Sequence, residues 1–86
     1  MKRKLKFIQD PAHGWISVKR SDLKLLGIED EISPFSYQKG NRVYLEEDRD
    51  AGIYLDKAKQ AGWEITLNES FTERRSWVRY QERYQK

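Results

Sequence analysis

The densest set of carboxylates in the chain is Glu46-Glu47-Asp48-Arg49-Asp50. Carboxylates this close suggest a divalent cation or acid–base chemistry, and both need oxygens converging on one point. The surroundings argue against convergence. The run starts at the end of an expected strand, Arg42 to Glu46, and enters an expected helix, so consecutive side chains diverge and at most two can face one ion. Acidic groups at a helix start have a simpler use. They accept from free N–H groups and favour the positive end of the dipole, each contributing about 0.3–1 kcal/mol. Glu47 or Asp48 is expected to cap the helix, and Glu46 and Glu47 double as an acidic patch for a partner.

His13 is the only histidine, and the chain has no cysteine. Thiolate ligands, thiol nucleophiles and disulfides are therefore excluded for this sequence. A zinc site here would rest on carboxylates, an uncommon set. No G-x-S-x-G string places a serine for a triad. The expectation for His13 is a hydrogen bond within its loop that helps to position Trp15. Gly40 in Gln38-Lys39-Gly40-Asn41 lacks any Walker surroundings and reads as a turn. No catalytic residue, cofactor or metal ligand is assigned.

Aromatic residues are plentiful for so polar a chain: three Trp, five Tyr and three Phe among 86 residues. Phe7, Trp15, Phe35, Tyr54 and Trp63 are expected in the core, and Tyr37, Tyr44, Phe71, Trp77, Tyr80 and Tyr84 at a surface. Rings interleave with arginines along Arg74-Arg75-Ser76-Trp77-Val78-Arg79-Tyr80 and on to Arg83-Tyr84. Such a segment suits a protein hot spot, where Tyr, Trp and Arg are enriched. It also suits nucleic acid, with bases on rings and phosphates on arginines. A third possibility is purely internal, with the rings closing one side of the sheet and arginine stems lying over them.

Charge is segregated along the chain. Residues 1–28 carry seven Lys/Arg against Asp10 and Asp22, residues 29–73 carry five against eleven acidic groups, and residues 74–86 carry five against Glu82. The net charge is +3. Basic ends around an acidic middle can attract each other within the fold or present opposed surfaces. No apolar run reaches the roughly 18 residues that span a bilayer, and no apolar h-region follows the basic opening. The expectation is no membrane and a cytoplasmic setting.

The elements that must position these groups follow from periodicity. Lys4 to Ile8, Trp15 to Lys19, Arg42 to Glu46 and Trp63 to Leu67 read as strands, the last with Trp63, Ile65 and Leu67 inward. Ile32 to Tyr37 reads as an extended segment, with Pro34 marking an edge. Ser21 is an N-cap candidate for a short helix over about 22–26. Ala51, Tyr54, Leu55, Ala58 and Ala61 fall on one face of the main helix, about 49–61. Asn68 to Thr72 reads as loop. Ser76 to Tyr80 is ambiguous between helix and strand, and its β-propensity favours strand. The fold class is α+β: one domain over 1–86, five or six short strands in a mainly antiparallel sheet, with 1–3 and 81–86 loosely tied.

The strings His13-Gly14-Trp15, Ser33-Pro34-Phe35-Ser36-Tyr37-Gln38-Lys39-Gly40 and Tyr44-Leu45-Glu46-Glu47-Asp48 resemble a family of small accessory proteins of bacteriophages and mobile elements. The resemblance spans about 12–84 and implies a setting inside a bacterial cell, with no activity to carry over. The combined expectation is a non-enzymatic module that binds and modulates a host or phage protein. Its contacts would be Tyr37, Tyr44, Glu46, Glu47, Arg75, Trp77, Arg79, Tyr80, Arg83 and Tyr84. A nucleic-acid binder using the basic ends is the alternative, and a small metal-dependent hydrolase or nuclease the third. A homo-oligomer paired through the Pro34-marked edge is a further expectation.

Overall fold

Alternating side chains make a strand of Lys2–Gln9 (β1), with Leu5 buried on one face and Ile8 on the other. The computed structural model describes residues 1–86 and places six such strands in one sheet. The others are Gly14–Lys19 (β2), Tyr37–Lys39 (β3), Arg42–Glu46 (β4), Glu64–Phe71 (β5) and Glu82–Arg83 (β6), arranged β5-β1-β2-β4-β3-β6. All pairings are antiparallel except β1–β5. With helices Arg20–Leu25 (α1) and Asp50–Gln60 (α2), the fold is α+β.

Both helices cover one face of the sheet. Tyr54 and Ala58 of α2 and Leu23 of α1 pack on Leu5, Ile16, Val18, Val43 and Leu45. Beneath them a polar knot is buried. Asp22 accepts from Arg3 at 2.9 and 3.2 Å and from the Tyr54 hydroxyl at 3.1 Å. Burial, and then the Asp22 charge, push the Tyr54 hydroxyl well above the usual phenol range. The second face carries a smaller cluster of Ile8, Trp15, Tyr44 and Val78, the last from the irregular segment after β5.

Several boundaries differ from expectation for local reasons. α1 starts at Arg20, not Asp22: the Arg20 N–H finds the Asn41 carbonyl at 2.8 Å, and no side chain, Ser21 included, caps the helix. Ile32 to Ser36 forms turns rather than strand, and only Tyr37–Lys39 pairs. Gly40, at φ +56°, opens the two-residue turn to β4, as the handedness of a tight hairpin requires. Asn68 to Phe71, expected as loop, continues β5, because pairing with β1 runs on to Gln9↔Phe71. As the outer strand, β5 leaves Leu67 exposed. The ends are held: Lys2 and Arg3 lie in β1, Glu82 and Arg83 in β6. Tyr84 donates its N–H to Ser36 and its hydroxyl to Glu29, both at 2.8 Å. No helix is long and apolar enough to cross a membrane.

Candidate functional site

Asp10 organises the second face. It follows β1 where the chain turns, and its Oδ1 accepts from the Ala12 and His13 N–H groups at 3.1 and 2.9 Å. Its Oδ2 accepts from the Ser76 N–H at 3.0 Å, and the Arg79 guanidinium grips both oxygens at 2.6 and 3.0 Å. That guanidinium and the three N–H groups hold the carboxyl far below the usual carboxylate range. Ser76 in turn accepts from the Val78 N–H and starts a 3-10 turn, Trp77–Tyr80. The segment is therefore neither strand nor α-helix: it is clasped by a carboxylate from the far side of the chain.

Arg79 also lies 5.4 Å above the Trp15 ring and 2.8 Å from His13 Nδ1. Arginine only donates, so in this contact Nδ1 is the acceptor. The imidazole stacks with Trp15 at 6.1 Å and 17°. His13 thus stacks on Trp15, its ring bonds across the fold to Arg79, and its backbone N–H and carbonyl both bond to Asp10 within the loop. Gly14 beside it permits a close approach, since a Cβ there would sit 2.6 Å from Phe7 and 2.8 Å from Glu47.

A cleft of about 470 Å³ opens over Trp15, with His13, Phe35 and Tyr37, the acids Glu46 and Asp48, and the arginines Arg49, Arg75, Arg79 and Arg83 along its walls. Two of the arginines are neutralised, Arg79 by Asp10 and Arg49 by Asp50 at 2.9 Å. Arg75 and Arg83 form no ion pair; Arg83 lies 4.7 Å over the Tyr37 ring and Arg75 5.9 Å over Tyr80. The Trp15 indole N–H is buried without a partner. The cleft therefore offers two cations that form no ion pair, Arg75 and Arg83, beside the acids Glu46 and Asp48, while the indole N–H lies beneath the surface.

The acidic run separates by role. Glu46 is buried, and burial raises its carboxyl; it accepts from the Asp48 and Arg49 N–H groups at 2.8 and 3.2 Å. Asp50 is fully buried and accepts from the Ser33 N–H and hydroxyl and from the Ser36 hydroxyl, tying the 33–36 turn to the start of α2. The expected capping by Glu47 or Asp48 is not found: both are exposed, no side chain caps α2, and Glu46 instead meets two N–H groups of the turn before it. No three His, Asp or Glu side chains converge as a metal-binding group.

Of the expected contact residues, Tyr37, Arg75, Arg79 and Arg83 share the cleft with Glu46. Trp77 and Tyr80 lie outside its walls, 50% and 73% exposed, and Glu47 is exposed beside Gly14 and Phe7, on the helix side. Tyr44 and Tyr84 are corrected from surface to interior: Trp77 closes edge-on over Tyr44 at 5.1 Å, and Tyr84 belongs to the helix-side core. Glu46 is likewise no open patch. Phe35, expected in the core, is 66% exposed at the cleft wall. Asp10 escaped sequence reasoning, although an aspartate before Pro11 is a usual start for such a turn.

Comparison with protein-family models, with curated proteins and with solved structures gives no match.

Proposed function

We propose that this chain is a non-enzymatic protein-interaction module that takes an acidic segment of a partner protein into the cleft over Trp15. The observation that supports this most is the pair Arg75 and Arg83, which line the cleft and form no ion pair. A partner's Asp or Glu would meet the guanidiniums in charge-assisted bonds. An adjoining apolar side chain would rest on Phe35, which is exposed at the cleft wall. Asp48 gives the cleft one acceptor of its own for orienting the segment.

The resemblance of the HGW, SPFSYQKG and YLEED strings adds a setting. In this reading the chain is a phage- or mobile-element-encoded accessory protein that modulates or inhibits a host protein in the bacterial cytoplasm. Peptide display against the purified chain tests the cleft. Enrichment of acidic peptides that lose binding to an R75E/R83E variant is the expected result. Equal binding of the selected peptides by that variant, or enrichment without acidic residues, overturns the proposal.

A further inference from the structure

Strand register lines up four cations across the second face of the sheet. Lys19 is paired with Arg42, and Arg42 with Lys39. Two residues along the antiparallel register from Lys6↔Ser17, Lys4 stands opposite Lys19. Thr66 of β5, the partner of Lys4, ends the row. All four cations are exposed, and none forms an ion pair. Lys6 extends the set in the next row, between Asn68 and Ser17. Strand spacing makes the row from Lys4 to Lys39 about 15 Å long.

Such a row needs a reason. Like charges opposite one another across strands destabilise a sheet, and here they recur over four neighbouring strands with none in an ion pair, the same-face Glu64 of β5 being engaged by Lys2. A polyanion laid along the row would relieve them. Beside it stands Trp77, half exposed over Tyr44, which follows Arg42 by two residues on the same face of β4.

We propose that this face binds single-stranded nucleic acid, with phosphates along Lys4, Lys19, Arg42 and Lys39 and a base stacked on Trp77. An open ring beside a basic track recognises an unstacked base. A six-stranded sheet is also broader than the duplex major groove, about 12 Å wide, and cannot read base edges there. The site goes beyond the cleft reading and stands without it.

Fluorescence anisotropy of a labelled, mixed-sequence single strand, titrated with the full chain over a range of salt, tests it. Four phosphate contacts give a log–log salt slope of about −3. A K19Q/R42Q variant, checked for fold by circular dichroism, is expected to bind more weakly with about half that slope. Trp77→Ala is expected to weaken binding about tenfold while leaving the slope in place. Arg75→Ala empties the cleft of a cation and leaves the slope unchanged, which separates this site from the cleft. Equal or tighter binding of the matching duplex, wild-type affinity in Trp77→Ala, or no binding at low salt overturns the proposal.

Discussion

The two faces of the sheet are closed by different means. On one, α1 and α2 lay Leu23, Tyr54 and Ala58 onto Val18, Val43 and Leu45, and nearly all the contact is apolar. On the other, a chain segment with no regular structure beyond one 3-10 turn is held by Asp10, and only Val78 enters as a fully buried apolar side chain. Apolar closure is tolerant of geometry and scales with area, whereas closure by one carboxylate depends on a few bonds of fixed direction. The difference explains where open chemistry is found. Helices hide the centre of the first face and leave only its β5 margin, Leu67 and Phe71, open, while the clasp covers the second face in part and leaves its arginines and Trp77 accessible.

The largest expected effect lies on the helix side. Leu45→Ala should destabilise the chain by about 2–5 kcal/mol in urea unfolding, with both faces lost in one transition. Arg79→Ala comes next at about 3 kcal/mol, because it strands a buried carboxylate. Here the comparison is sharpened by amide exchange: Ser76 and Val78 should lose protection while Val43 and Leu45 keep theirs. Loss of protection at all four would show that the faces do not separate.

Acid probes the same bond. The Asp10 carboxyl is depressed by Arg79 and three backbone N–H groups, so its contribution is complete above the unfolded value of about 4 and is lost as pH falls toward the folded value. Stability measured by thermal melts should therefore drop below pH of about 4, and less steeply in Asp10→Asn. Glu46→Ala removes the acceptor for two N–H groups before α2 and should lower stability by about 1 kcal/mol. Trp77→Ala should cost no more than about 1 kcal/mol, since half of the ring is already in water and the other half packs edge-on over Tyr44. A larger loss there would make Trp77 part of the closure rather than of a binding surface.

The helix-side face was legible in the sequence because its elements obey their own periods. Ala51, Tyr54 and Ala58 needed only helical spacing, and Val43 and Leu45 only alternation around a turn opened by Gly40. The other face was not, because its organising contact joins residues 69 positions apart. Nothing local at Trp77-Val78-Arg79-Tyr80 announces a partner at Asp10, so β-propensity pointed to a strand that the clasp prevents. Tyr84 misled for the same reason: its burial depends on the Glu29 carbonyl, reached only once the chain has folded. The cleft brought together Tyr37, Arg75, Arg79 and Arg83 from the expected contacts; its floor, Trp15, is buried as expected, but its wall, Phe35, was assigned to the core and is exposed. Exposure of single rings is set by tertiary neighbours rather than by hydrophobicity alone. The basic row was hidden in another way, since charges distant in sequence became neighbours only through strand register.

The clasp also orders events in time. Before the sheet exists, closing the long loop between Asp10 and Arg79 is entropically unfavourable. Once β5 has zipped along β1, the Thr72 N–H bonds to Gln9 at 2.9 Å, and Ser76 is delivered beside Asp10 with only a few residues still free. Docking of the segment is then fast, local and reversible, and it can open without disturbing the helix side. The cleft walls built from Arg75 and Arg79 would thus form and dissolve as one unit, on a clock separate from Arg83, which stays paired in β6.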